Sequence, residues 1–382
     1  MYNILVVDDS ALMRKLMCDI INSIQDFQAT DVCSDGESAY RSLTNNQYDA
    51  VTMNMMLPRV TGLEVLKRLK ENGVAIPVVA ISSAVKEDRV LTVEALESGA
   101  IECVLRPYRL AGPDKLSFSK ELDRALHIAV GKPVMEEAAA VNPMPSVKPV
   151  NVKPVVPKPI PTQPRVEPKN VTPVMPVPNI PVKSVTPRAS GRYSLIAIAS
   201  STGGPQALHT MIPMLPEHVG IPIVIVQHMP KGFTASLAER IDSKAKLTVK
   251  EAENGERLLP DTVYIAPGGR HLQIQENQGK LVARVYDDPP VNNLRPCADV
   301  MYESLKDISS DNILCVVLTG MGADGSKGIQ SLRTKKKLYV ITQSEDTCVV
   351  YGMPKATDLL GLSDQSAPIT GIANAIVREI GG

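Results

Sequence analysis

Aromatic side chains are scarce in this chain. Of 382 residues three are Phe, ten are Tyr and none is Trp, which leaves little for stacking nucleic-acid bases. A dominant charge is missing too. Lys and Arg number 41 and Asp and Glu 41, so no one-signed field points to nucleic acid. No uncharged apolar run approaches the roughly 18 residues needed to span a bilayer. The stretch Met1–Asp9 has no basic region leading into a long apolar one, so no signal peptide is expected. The six cysteines are scattered, without Cys-x-x-Cys pairs or zinc-ligand spacing. Reduced thiols in a cytoplasmic protein follow as the expectation, with no nucleic-acid partner and no membrane insertion. The length allows two or three domains.

What is present begins with alternation. Ile4–Val7, Asp49–Met53, Val78–Ile81 and Glu102–Leu105 read as buried strands. Leu12, Met13, Leu16, Met17, Ile20 and Ile21 form the apolar face of a helix. Repeated β-α units predict a doubly wound parallel sheet over residues 1–125. Polar residues collect at the strand ends, where such a sheet carries its site: Asp8, Asp9, Asn54, Ser82 and Arg106.

Residues 130–190 differ in composition. About half of the 31 prolines fall here, as in Val152–Pro161. Proline lacks the N–H and fixes φ, so neither helix nor sheet continues through such runs. An extended linker is predicted, able to reach on the order of 180 Å.

Residues 191–382 return to α/β alternation. Ser194–Ala199 reads as a strand and Gln206–Ile212 as a helix, with Ser200-Ser201-Thr202-Gly203-Gly204-Pro205 as the turn between them. Glycines there let the backbone approach a ligand, and the helix start offers free N–H groups. An anion-binding loop or a nucleophilic hydroxyl would both use such a turn. Ala199 stands where the Gly-x-Ser-x-Gly elbow has its first glycine, so this is not that motif. Pro222–Val226 leads into His228, and Ile313–Leu318 leads into Thr319–Gly325, which contains Asp324. Leu272–Gln275 and Leu281–Val285 around Gly279 predict a hairpin.

A serine hydroxyl is a weak nucleophile at neutral pH and needs a base. Imidazole titrates in the right range, and a carboxylate fixes its tautomer. Ser201, His228 and Asp324 each follow a buried strand, so one sheet edge can gather them. Alone, Asp324 would be read as a cap on the following helix. Composition does not choose between Ser200 and Ser201.

Residues 1–125 resemble the response-regulator receiver domain. The resemblance implies a Mg²⁺ site at Asp8 and Asp9, a phosphoryl acceptor at position 54, and phosphoryl contacts from Ser82 and position 106. Asn54 stands where the family has the acceptor Asp, Arg106 where it has Lys, and Cys103 at the aromatic switch position. An amide forms no acyl phosphate, and its loss of charge weakens a hard-cation site. A receiver-like domain that is not phosphorylated is therefore expected, with at most a weak Mg²⁺ site.

The segments Ile198–Gly204, Gln227–Phe233, Tyr264–Gly268, Asp288–Asn292, Leu318–Gly325 and Val350–Pro354 resemble the protein-glutamate methylesterases of bacterial chemotaxis, in order over the whole C-terminal half. The order receiver, linker, esterase is that family's. The resemblance implies hydrolysis of γ-glutamyl methyl esters on chemotaxis receptors, deamidation of some receptor glutamines, and a histidine kinase or other receiver-binding partner. Aligned with the family motif, Ser201 is the nucleophile, His228 the base and Asp324 the orienting acid. No metal is implied for the esterase. The turns Thr202–Gly204 and Gly320–Gly322 are the candidate oxyanion hole, chiefly through the amides of Thr202, Gly203, Met321 and Gly322. In that family the unphosphorylated receiver covers the esterase site. A scaffold that binds receptors or partners without turnover is the competing expectation.

Overall fold

The runs Ile4–Val7, Val78–Ile81 and Ile313–Val317 are completely buried, as strands covered by helices on both faces must be. The structure, a computed structural model, describes residues 1–131 and 193–381. The proline-rich stretch predicted to be a linker lies, apart from its first two residues, outside the described residues.

In the N-terminal part the order is β1 (Tyr2–Val7), α1 (Ala11–Ile21), β2 (Phe27–Cys33), α2 (Gly36–Asn45), β3 (Ala50–Asn54), α3 (Gly62–Glu71), β4 (Val78–Ser82), α4 (Lys86–Ser98), β5 (Glu102–Leu105) and α5 (Pro113–Ala129). The five strands pair in parallel in the order β2-β1-β3-β4-β5. Local chemistry sets the helix starts. Ser10 and Asp35 accept backbone N–H bonds at the starts of α1 and α2, and Thr61 with Glu64 makes a reciprocal capping box on α3.

The C-terminal part runs β6 (Ile196–Ser200), α6 (Gly204–Met211), β7 (Ile223–Gln227), α7 (Phe233–Asp242), β8 (Thr248–Glu251), β9 (Thr262–Ile265), β10 (His271–Asn277), β11 (Lys280–Tyr286), α8 (Ala298–Ser304), β12 (Asn312–Val317), α9 (Ser326–Arg333), β13 (Lys337–Gln343), α10 (Met353–Leu359), β14 (Gln365–Ala367) and α11 (Ile369–Ile380). Seven strands form a parallel sheet in the order β14-β13-β12-β6-β7-β9-β8. β10 and β11 form the expected antiparallel hairpin. The chain winds from β6 towards β7 on one side and β12 lies on the other, so the sheet changes winding direction beside β6. Open parallel sheets place their sites beyond the strand ends at such a point.

Helix α4 packs against α6 and α7. One apolar cluster is continuous from Leu66, Leu69 and Leu96 to Leu208, Phe233 and Leu237. At its margin Arg240 bonds Glu97 at 2.9 Å and Glu94 at 3.0 Å, and Lys244 also pairs with Glu97. Burial acts to raise the Glu97 carboxyl, but hydrogen bonds from Lys244 and Arg240 outweigh it and hold the pKa at about 2.

Candidate functional site

β6, β7 and β12 are neighbours, so the turns that follow them meet at one sheet edge. The turn after β6 is stitched to both sides. The Ser201 amide donates to Thr319 O at 3.0 Å, and the His228 amide donates to Ser200 O at 3.1 Å. The two serines part here. Ser200 is fully buried, and its hydroxyl donates to Gln227 Oε1 at 2.6 Å. Ser201 lines a cavity with Thr202, Gly203 and His228.

His228 is held from its far side. Its Nε2 lies 2.7 Å from Asp324 Oδ2. An ionised carboxylate can only accept, so Nε2 carries the hydrogen and Nδ1 keeps its lone pair. Burial pushes the Asp324 carboxyl upwards. The hydrogen bond from His228 and, with the ring protonated, its charge, together with the amides of Ala298 and Asp299, outweigh that and bring its pKa to about 2.

Asp324 does not cap the helix that follows it. That helix, α9, has Gly325 as its N-cap, and of its start only the Gly325 amide reaches Asp324, on Oδ1 at 3.0 Å. Instead Asp324 accepts from Ala298 N at 2.6 Å and Asp299 N at 2.9 Å, the first amides of α8. Asp299 in turn accepts from Gly325 N at 2.9 Å and Gly328 N at 2.6 Å, at the start of α9. Each helix start is thus served by an acid from the other, where the helix dipole favours negative charge. Cys297 Sγ donates to Asp324 Oδ1 at 3.1 Å. Cys297, Asp299 and Asp324 lie close enough to suggest a metal site, but both carboxylates already face N–H donors, and burial pushes the Cys297 thiol far up, which accounts for the cluster without an ion.

The two expected oxyanion turns are narrowed by the backbone. The Gly204 amide donates to Ser201 O at 2.8 Å and the Gly320 amide to Val350 O at 3.0 Å. Those two are committed. Thr202, Gly203, Met321 and Gly322 have no such amide bond among the described residues. Gly203 has φ +75°, which glycine adopts without strain. A Cβ on Gly320 would lie 2.8 Å from the Ser201 Cβ, so glycine there lets the two turns meet.

Gln227 and Thr319 escaped the sequence reading. Gln227 Nε2 donates to Ser201 O at 2.9 Å and His228 O at 3.1 Å, so one amide side chain ties both turns. Thr319 Oγ1 donates to Thr202 O at 3.0 Å and accepts from Val350 N at 3.0 Å. The available signal was a polar residue ending an otherwise apolar strand. The segment Val350–Pro354 has its place too, since the Gly352 and Met353 amides donate to Gly320 O. His271, which follows Pro267-Gly268-Gly269, bonds Pro289 O at 3.0 Å.

The polar residues of the N-terminal sheet form a second cluster. Arg106 pairs with fully buried Asp8 and approaches Asp9 at 3.7 Å. Asn54 Nδ2 donates to Asp9 Oδ1 at 2.9 Å and to Met56 O at 3.1 Å, while its Oδ1 accepts from Met56 N at 3.1 Å. Ser82 Oγ accepts from Thr92 Oγ1 at 2.7 Å. A hard cation needs several free oxygen ligands. Here a guanidinium and an amide NH₂ group take the two carboxylates, so the residues do not fit Mg²⁺.

The two clusters share a boundary. The cavity lined by Ser201 and His228 is closed on its other side by Leu96, Ile101, Glu102 and Cys103, and its volume is about 20 Å³, room for roughly one water.

A receiver-type sheet joined to an α/β domain with a Ser, His and Asp constellation defines a response regulator with a hydrolase-like output domain. Residues 4–112 match the response regulator receiver domain family and residues 196–376 the CheB methylesterase family. A protein-glutamate methylesterase/protein-glutamine glutaminase of Geobacillus kaustophilus is 36% identical over 99% of this chain and 98% of its own. The protein of that name from Bacillus subtilis is 33% identical over 98% of each. The crystal structure of the Thermotoga maritima CheB methylesterase catalytic domain is 42% identical, covers 49% of this chain and 98% of its own, and has a TM-score of 0.48. The chain belongs to the protein-glutamate methylesterase/protein-glutamine glutaminase family. Among the described residues no helix is long and apolar enough to cross a membrane.

Proposed function

We propose that this protein hydrolyses glutamate γ-methyl esters, and deamidates glutamines, on the cytoplasmic parts of chemotaxis-type receptors. The observation that carries the reading is a single cavity wall that presents Ser201 and His228, with His228 anchored to Asp324 at 2.7 Å. Ser201 Oγ attacks the γ-carbonyl and its proton passes to His228 Nδ1. The oxyanion is met by amides of the Thr202–Gly203 and Met321–Gly322 turns. Collapse breaks the C–OCH₃ bond, His228 returns the proton, and methanol leaves. Water, deprotonated by His228, then cleaves the acyl-serine to a γ-carboxylate and free Ser201. With a glutamine substrate the leaving group is ammonia. The protein works in the cytoplasm.

Regulation departs from phosphorylation. Asn54 offers no carboxylate, and Arg106 occupies both acids that would hold a metal. Leu96, Ile101, Glu102 and Cys103 cover the site, which favours a closed resting enzyme opened by a protein that binds the receiver. A histidine kinase is one candidate partner.

The test is methanol release from membranes bearing methylated receptors, with Ser201→Ala as the blank. The full-length protein is expected to release methanol slowly but above the blank, and Ser201→Ala to lose several orders of magnitude of turnover. Equal rates for the two proteins, with residues 190–382 alone also no faster than the blank, would leave only the receptor-binding scaffold.

A further inference from the structure

The covering domain places a glutamate inside the site proposed to act on glutamate. Glu102, at the start of β5, receives a 2.6 Å hydrogen bond from Thr202 Oγ1 on Oε2. The same oxygen is 3.3 Å from Arg124 Nη2, and Oε1 accepts from Cys103 N at 3.1 Å. The carboxylate is therefore held in one orientation from its own domain before it meets the other. Glu102 and Thr202 both line the cavity that holds Ser201 and His228. Thr202 is 3% exposed, so its hydroxyl has little water to bond and needs a partner in the closed state. Within the site the nearest chemical match to the Glu102 side chain is the reaction product, a glutamyl γ-carboxylate.

We infer that Glu102 is an internal product analogue, and that the Thr202 hydroxyl is the donor that positions the γ-carboxyl group of the receptor's glutamyl side chain. The inference rests on the esterase reading for the identity of the substrate. A merely steric cover would need only bulk, as Leu96 and Ile101 supply. Glu102 instead satisfies a buried donor one residue from the nucleophile, with the functional group that turnover creates. Displacing the receiver then empties a subsite as well as opening a path. Thr202 is a positioning residue in this scheme: it orients the group that Ser201 attacks and takes no proton.

The test uses full-length protein carrying Ser201→Ala, so that binding is read without turnover. The probes are N-acetyl-glutamate amide, with a free γ-carboxylate, and N-acetyl-leucine amide, of similar size with no γ-oxygen; affinity is read by NMR titration. Adding Glu102→Ala is expected to tighten glutamate-probe binding on the order of tenfold, the worth of one charge-assisted hydrogen bond. The leucine probe should gain much less. Glu102→Gln, which keeps the size of the side chain, should give a smaller gain in the same direction. Thr202→Val should abolish the gain from Glu102→Ala, and Thr202→Ser should restore it. Equal gains for both probes, or a full gain in the Thr202→Val background, would reduce Glu102 to a steric cover and overturn the inference. No gain for the glutamate probe would overturn it as well. Methanol release by Glu102→Ala with Ser201 intact separates the two readings. Selective binding without methanol release sinks the esterase reading and leaves the carboxylate subsite standing; release without selective binding does the reverse.

Discussion

At the scale of single residues, the site depends on polar groups that never face a substrate. Asp324 orients His228 only because the first amides of α8 and the Cys297 thiol hold the carboxylate on its other sides. Asp299 is the residue to test. Burial raises its carboxyl, against the pull of the Gly328 amide, yet its Oδ1 serves both Gly325 and Gly328. Asp299→Ala leaves the buried Gly328 N–H without its acceptor and the Gly325 N–H with Asp324 Oδ1 alone, at 3.0 Å. Chemical denaturation should report a loss of about 1–3 kcal/mol. Turnover should fall as well, since Gly325 follows Asp324 directly and a shifted turn moves the acid off His228. A stable but slow variant would show that the crossed capping serves geometry more than folding; a variant with normal turnover would remove Asp299 from the site's support.

At the scale of elements, α6 joins the catalytic turn to the covering domain and carries a buried histidine. His209 is 8% exposed, and among the described residues neither ring nitrogen has a hydrogen-bond partner. Burial lowers its pKa to about 4; Glu97 pulls the other way, and Lys244 and Arg240 add to the lowering. Between pH 6.5 and 4 the unfolded chain takes a proton that the folded one refuses. Stability from this residue is therefore lost as pH falls through that window, by up to about 3 kcal/mol. His209→Leu should remove that part of the acid-side loss, read as the difference in urea-denaturation free energy between variant and parent at pH 7.5 and 4.5. Parallel pH profiles would show that His209 gains a partner on protonation. The same scale explains what was legible in the sequence. Continuous apolar runs revealed β1, β3, β4, β6, β7 and β12, because interior parallel strands are covered on both faces. β2, β8 and β14 went unread. Each lies at a sheet edge, where one side lacks a neighbouring strand, and sequences such as Thr248–Glu251 and Gln365–Ala367 carry no apolar run. Ser201, His228 and Asp324 could be picked out because each follows a readable strand. Gln227, Asp299 and Glu102 could not, since their partners lie 26, 25 and 100 positions away.

At the scale of the whole molecule, the receiver's acidic pocket is satisfied from within. Arg106 neutralises Asp8, and Asn54 donates to Asp9. Burial raises the Asp8 carboxyl, and Arg106 opposes that rise. Acetyl phosphate should therefore leave no adduct on the parent protein by intact mass. Asn54→Asp alone should also stay unlabelled, because Arg106 still occupies the metal ligands. The pair Asn54→Asp with Arg106→Lys should gain a Mg²⁺-dependent, acid-stable and base-labile label, since a compact ammonium frees the carboxylates that a planar fork bridges. Labelling of Asn54→Asp by itself would mean that Arg106 yields to the cation.

The Asn54 amide also changes how the protein keeps time. An acyl phosphate hydrolyses on its own, so a phosphorylated receiver carries a built-in clock that ends each response. A receiver closed by an amide and a guanidinium has no such clock. Under the proposed regulation, its duration of output would be the residence time of the protein that holds the cover away, and its amplitude would follow the abundance of that protein.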